Sequence, residues 1–286
     1  MRSCLEVPQP RSLVVRSNLE IKVRRAAVVV LALWTAPLWA QSSHSPNTLS
    51  ATERAAGWRL LFDGRTLTGW RGLGYDTVPT AHWVVVDGTI KKIASGNVPR
   101  VPDGRPLNGG DLMTVDTFGD FELTWEWKVT PGANSGVKYN VSEELSMSQG
   151  SALTPDAVAK GIITPNHSAL GFEYQMLDDD RHVDGKIPSH RAGALYELVA
   201  PNANKRLRPV GEWNSSKIVF RGNHGEHWLN GAKILEFELG TAAMQAALAK
   251  SKYRSIPGFA DRRKGHIVLQ DHGDEVYFRN IKVRDL

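Results

Sequence analysis

The chain has 286 residues, with 35 basic and 30 acidic side chains. Residues 1–40 hold six of the basic and two of the acidic ones, which leaves 29 against 28 in the rest. That near-neutral remainder gives no reason to expect nucleic acid or an anionic membrane as a partner. The single cysteine, Cys4, excludes disulfides, thiolate metal sites and a cysteine nucleophile anywhere downstream.

The first forty residues read as an export signal. Arg2, Arg11, Arg16, Lys22, Arg24 and Arg25 precede the apolar run Ala26–Trp34, and Ala40 leads into polar Gln41-Ser42-Ser43. The run is too short to span a bilayer. Leu38 is a poor residue for cleavage after Ala40, which keeps a membrane anchor open as the alternative. The charged region is long, and Val23 as an alternative start would give a leader opening on Arg24-Arg25, a weak trace of twin-arginine export. The expectation is a periplasmic or extracellular protein, free of the membrane once processed.

Residues 41–56, rich in Ser, Thr, Asn and Pro, read as a flexible linker. From 57 to 286 short stretches of period-2 alternation separated by glycine turns predict one all-β domain, a sandwich or barrel. Trp83–Val86 is a strand ending at Asp87-Gly88. In Phe121–Val129 the odd positions are apolar and Glu122, Thr124, Glu126 and Lys128 form a polar face, on which Glu126 is a candidate substrate contact. Asn134–Tyr139 enters a strand after the turn Pro131-Gly132. Asn134 and Lys138 are candidates there, with plain turn chemistry as the alternative. Ser142–Ser168 is poor in apolar residues and reads as a rim loop, with a turn of helix near Asp156–Lys160.

Gly171–Asp180 carries the most chemistry. Glu173 and Gln175 share a strand face, and Asp178 joins them only through a bulge. A Glu among aromatic residues is a candidate general base with a raised pKa; the alternative is a solvated or salt-bridged strand Glu. Arg181-His182 and Ser189–Tyr196 place cations on the following loop, where Arg191 is a candidate oxyanion clamp and a surface charge network is the alternative. Lys217–Phe220 is a strand. Glu226–Leu229, Asn230-Gly231 and Ala232–Phe237 spell a hairpin with a type I′ turn. Thr241–Lys252 is the one helical segment. His266–Gln270 and Val276–Val283 close the chain as strands. Between them, adjacent Asp271 and His272 point apart, which favours a hydrogen-bonded turn over a catalytic dyad. Phosphate-binding loops and helical His-x-x-x-His spacing are missing.

These motifs resemble a known family. Trp58-Arg59-Leu60-Leu61-Phe62-Asp63-Gly64-Arg65-Thr66-Leu67-Thr68-Gly69-Trp70 is similar to the opening signature of the 3-keto-disaccharide hydrolases, a family of 3-keto-glucoside 1,2-lyases and 3-keto-2-hydroxyglucal hydratases. Agreement continues through Asn134-Ser135-Gly136, Gly171–Gln175, Gly211–Asn214, Glu226–Gly231, Leu269–Gly273 and Phe278–Val283. The resemblance implies a concanavalin A-like jelly-roll β-sandwich with one short helix. Endoglucanases of that fold place acidic residues at i, i+2 and i+5 of one strand. Glu173, Gln175 and Asp178 keep the spacing, but Gln175 breaks the acidic pattern and speaks against ordinary retaining hydrolysis. His190-Arg191-Ala192 stands where relatives carry Asn-Arg-Thr, so Arg191 transfers better than His190.

The implied activity is β-elimination of 3-keto-glycosides across C1–C2, hydration of the resulting 3-keto-2-hydroxyglucal, or both. The rivals are a hydrolase of unoxidised glycosides and a glycan-binding module. For the elimination, Glu173 or His182 is the expected base, Arg191 and Gln175 hold the C3 oxygen, and Asp178 is an acid or metal ligand. Asn134, Lys138 and Glu126 complete the substrate set. No cofactor is required. A divalent cation is compatible with Asp178-Asp179-Asp180 and His182 without being demanded. A separate oxidoreductase is the partner that supplies the 3-ketone.

Overall fold

A computed structural model describes residues 45–286 except 101, 103, 105, 106, 108 and 150–167. The expected leader and the helical turn near 156–160 lie outside the described residues. Among the described residues no helix is long and apolar enough to cross a membrane.

Thirteen strands are described: β1 Arg59–Leu60, β2 Trp70–Gly72, β3 Trp83–Val86, β4 Thr89–Lys92, β5 Leu112–Thr114, β6 Phe121–Val129, β7 Asn134–Val141, β8 Phe172–Leu177, β9 Asn214–Arg221, β10 His224–Leu229, β11 Ala232–Glu238, β12 His266–Leu269 and β13 Val276–Asp285. They form two antiparallel sheets. One has eight strands in the order β11-β10-β9-β6-β13-β4-β3, with β1 also on β13; the other has five in the order β2-β5-β12-β7-β8. The all-β jelly-roll sandwich expected from the sequence is the architecture of the molecule. The single expected helix becomes three among the described residues: α1 Ala51–Ala55, α2 Glu143–Gln149 and α3 Ala242–Lys250, the last capped by Thr241 as its position predicts.

The core fills the gap between the sheets. β6 presents Phe121, Leu123, Trp125, Trp127 and Val129 inward, all buried. The Trp127 indole donates to Ser216 Oγ on β9 (2.8 Å), and that hydroxyl donates to Tyr174 OH on β8 (2.8 Å). A satisfied polar thread therefore crosses from one sheet to the other inside an apolar core. His227, fully buried, is the second such link. Its Nδ1 lies 3.0 Å from Gly193 O, so that nitrogen carries the proton and Nε2 accepts from Tyr139 OH at 3.0 Å. Burial holds this imidazole neutral and lowers its pKa from 6.5 to about 3. Asn230 and Gly231 both adopt positive φ, 49° and 86°, as the I′ hairpin requires.

The expected free linker is docked where it is described. Asn47 is buried; its side chain accepts from Asn280 N (2.7 Å) and donates to Gly88 O (2.8 Å). Ser50 and Glu53 close a reciprocal capping box on α1, and Lys282 Nζ reaches Glu53 at 2.6 Å.

Candidate functional site

β7 reads as eight consecutive buried residues because both of its faces are covered. Val137 and Tyr139 enter the core, so Asn134, Gly136 and Lys138 point to the outer face of the five-stranded sheet. On β8 the core takes Phe172, Tyr174 and Met176, which turns Glu173 and Gln175 outward. The register sets Lys138 opposite Glu173 and Gly136 opposite Gln175. Asn140 then takes a positive φ of 52°, and Val141 beyond it joins a small outer cluster with Leu73, Met113, Ala169 and Val268.

Glu173 is 4% exposed. Burial raises its pKa, against the opposing pull of Lys138, Lys252 and His272. Lys138 Nζ lies 3.8 Å from Glu173 Oε2 and 3.8 Å from Asp111 Oδ2, and it donates to Ser168 Oγ (3.1 Å) and Ala169 O (3.0 Å). The buried cation is thus shared between two carboxylates. Asp111 is the better satisfied of the two, accepting Ala169 N (2.9 Å) and Asp271 N (2.8 Å). The Glu173 side chain leans over Gly136, where a Cβ would meet its Oε1 at 2.7 Å. Any side chain at 136 would have to push the carboxylate aside.

Other groups converge from loops. Lys252 holds its ammonium over the rings of Tyr196 (4.3 Å) and Tyr253 (5.3 Å), and burial lowers its pKa. His182 accepts Asp184 N–H on Nδ1 at 3.1 Å, so a proton on this ring belongs on Nε2, as a donor. Its ring sits edge-on to His272, centroids 6.2 Å apart, and His272 Nε2 is 3.5 Å from Asn134 Nδ2. Five amide atoms among the described residues are sealed from solvent without a partner: Asn134 Oδ1, Asn140 Oδ1, both Gln175 Oε1 and Nε2, and Gln270 Oε1.

The structure therefore gathers Glu173, Gln175, Asn134, Lys138 and His182 on one face and rim, and it places three other candidates differently. Asp178 does not enter through a bulge: β8 ends at Leu177 in the core, and the Asp178 carboxylate latches the loop. It accepts Gly132 N (2.8 Å), Asp180 N (3.2 Å), Arg181 N (3.3 Å) and Arg181 Nη1 (3.2 Å). Burial alone would raise its pKa, but these hydrogen bonds bring it below the ordinary value, which is wrong for an acid. Glu126 belongs to the other sheet, on whose outer face it pairs with Arg279 Nε at 2.6 Å; it shares no site with Glu173. Arg191 donates Nε to Gly185 O (2.7 Å), so its guanidinium is engaged by the backbone of its own loop. Asp179 is itself held by Lys205 and Ala192 N, so two of the three carboxylates proposed for a cation are committed to protein donors.

Asp271 and His272 do point apart. Asp271 is a structural hub between His82 Nδ1 (3.0 Å) and Lys92 Nζ (3.0 Å), while His272 joins the rim. Sequence reasoning missed Asp111 and Lys252 as parts of the site, because neither carries a local motif: Asp111 comes in at the start of β5 and Lys252 on the helical turn that follows α3. A second cluster, His224, Glu226 and Glu236, has ligand atoms within 4.8 Å of one another at the β10–β11 hairpin. Lys233 is already inserted there, against Glu226 and Glu236.

The outer face of this β-sandwich thus carries a buried carboxylate, shared cations and unpartnered amides, and the comparisons place the chain among carbohydrate-active enzymes. The chain belongs to the family described as the 3-keto-alpha-glucoside-1,2-lyase-like domain, whose model matches residues 57–284. It is 36% identical over 253 residues to the 3-keto-disaccharide hydrolase of Bacteroides thetaiotaomicron, covering 84% of this chain and 82% of that one. Two candidate glycosyl hydrolases of known structure from Parabacteroides distasonis are similar. One has a TM-score of 0.67 at 29% identity, over 85% of this chain and all of that one. The other has 0.53 at 25%, over 80% and 99%.

Proposed function

We propose that the protein cleaves 3-keto-glycosides by β-elimination and hydrates the glucal that forms, outside the cytoplasm, on substrate oxidised by a separate enzyme. The observation that carries this reading is Glu173: a buried carboxylate of raised pKa, 3.8 Å from a lysine that does not neutralise it by contact.

A ketone at C3 acidifies the hydrogen on C2, because the carbanion delocalises onto the C3 oxygen. Glu173 takes that proton. The developing enolate needs positive charge, and Lys138 and Lys252 are the ammonium groups that act on Glu173. They replace Arg191 in the role expected from the sequence. The C1–O bond then breaks, the electron pair leaves with the glycosidic oxygen, and C1=C2 forms. Return of a proton to C2 and addition of water at C1 give 3-ketoglucose. His182, a donor through Nε2, fits protonation of the leaving oxygen better than base duty.

The test supplies matched 3-keto and parent glucosides and follows products by NMR. Turnover of the keto sugar alone is expected, with Glu173→Gln slower by about 10²–10⁴-fold. Cleavage of the parent glucoside would make the protein an ordinary hydrolase, and turnover of neither would make it a binding module.

A further inference from the structure

The mechanism leaves unused the most conspicuous polar feature of the face. Gln175 is fully buried, and neither atom of its amide has a partner. Across the strand pair stands Gly136, whose carbonyl accepts the Gln270 N–H at 2.9 Å. Asn134 lies two residues before Gly136 on the same face. Three amides thus surround the one position on this stretch of β7 that has no side chain, and each has at least one sealed, unbonded atom. Folded proteins seldom keep such groups, since an unmade buried hydrogen bond is a direct cost to stability. A ligand that bonds them removes that cost.

The chemistry of the amides selects the ligand. A primary amide offers a donor and an acceptor side by side, and a sugar hydroxyl both donates and accepts. Hydroxyl hydrogens rotate, so the match holds whichever way each amide is turned. None of the three side chains carries charge, so none offsets the charge of a carboxylate or phosphate. Glu173 Oε1 stands over the same glycine, Gly136, so the amides meet the hydroxyls that flank the reacting C1–C3 edge, and among those C4 and C6 carry hydroxyls that take no part in the elimination.

We propose that Gln175, Gln270 and Asn134 form a subsite for the free C4 and C6 hydroxyls of a neutral hexoside. The inference rests on the reading that this face holds a sugar ring, and it reassigns Gln175 from the ketone to the hydroxyls beside it. Gln175 becomes a specificity residue that the fold would be better off without.

The experiment measures binding and melting, with no turnover. Methyl glucosides of both anomers, their 4-deoxy and 6-deoxy analogues and a methyl glucuronoside are titrated by calorimetry into the wild-type protein and Gln175→Met. Wild type is expected to bind a parent glucoside, to lose tenfold or more when either the C4 or the C6 hydroxyl is removed, and to reject the glucuronoside. Gln175→Met is expected to bind the parent at least tenfold more weakly, to ignore the deoxy changes, and to melt at a higher temperature than wild type. A lower melting temperature would make Gln175 a structural amide and overturn the proposal. Equal binding of parent and deoxy sugars by wild type, or binding of no glucoside at all, would overturn it as well. Elimination of 3-keto substrates is measured separately, so either reading can fail alone.

Discussion

The outer faces of the two sheets carry similar residue types in opposite states. On the eight-stranded sheet every named carboxylate touches its cation. Glu122 meets Arg284 Nε at 2.6 Å and Lys217 at 3.1 Å, Glu126 meets Arg279 at 2.6 Å, and Glu275 meets Lys91 at 2.8 Å. Cations also lie over rings, Arg279 over Trp213 at 4.0 Å and Lys217 over Trp228 at 4.2 Å. On the five-stranded sheet Glu173 and its lysine stand 3.8 Å apart and more deeply buried, beside amides with nothing to bond. The first face is finished by its own side chains. The second keeps polar atoms buried and unpaired, and the direction of the carboxylate pKa shifts separates the two: lowered at Glu275, raised at Glu173.

That contrast breaks most sharply at Gly136. Gly136→Ala drives a Cβ into the Glu173 carboxylate and should cost about 10²-fold in kcat/KM on a 3-keto glucoside, since a displacement of about 1 Å is enough for such a loss. Circular dichroism and the melting curve should stay near wild type; unaltered activity would mean that Glu173 need not lie where the structure puts it.

The shared lysine sharpens the comparison through two opposed changes. Asp111 raises the pKa of Glu173 and Lys138 lowers it. Asp111→Asn should therefore move the acid limb of the pH–rate profile to lower pH, and Lys138→Met should move it to higher pH. Glu173 also faces Lys252 and His272, which are unchanged in both variants. Shifts of the same sign in the two variants would refute the assignment of that limb to Glu173.

Stability against pH should separate the faces as well. The folded pKa of Glu173 lies above its unfolded value near 4.5, so the folded protein binds more protons in that window and Glu173 makes stability fall as pH rises through it. Glu275 is the reverse case, with stability present above about 4.5 and lost as pH falls toward its lowered folded value. In denaturant titrations across pH, Glu173→Gln should remove a falling contribution and Glu275→Gln a rising one. The smallest effect is expected at Glu126. Glu126→Gln removes one partly exposed pair and should cost about 0.2–1 kcal/mol with no change in turnover.

Much of this fold is legible in the sequence because period-2 alternation survives wherever one sheet face meets the core. β6 announces itself through Phe121, Leu123, Trp125, Trp127 and Val129, and the β10–β11 hairpin through Asn230-Gly231. The very short β1, β2 and β5 have no such pattern to read. For the site, Glu173, Gln175 and Lys138 stand out because motif and strand face coincide. Alternation cannot say which sheet a polar face belongs to, so the sequence alone leaves Glu126 among the substrate contacts. Nor can it see a loop carboxylate spend itself on backbone N–H groups, as Asp178 does, or an arginine turn toward a neighbouring carbonyl, as Arg191 does. Asp111 reaches the site through strand order and Lys252 through the turn after α3, and no local signal marks either.

The most direct measurement is the fate of the C2 hydrogen when wild-type protein acts on a 3-keto glucoside in deuterium oxide. Early in the reaction, proton removal by Glu173 followed by elimination and hydration predicts 3-ketoglucose carrying deuterium at C2, and none formed at that rate by Glu173→Gln. Product that keeps its original C2 hydrogen would contradict the account.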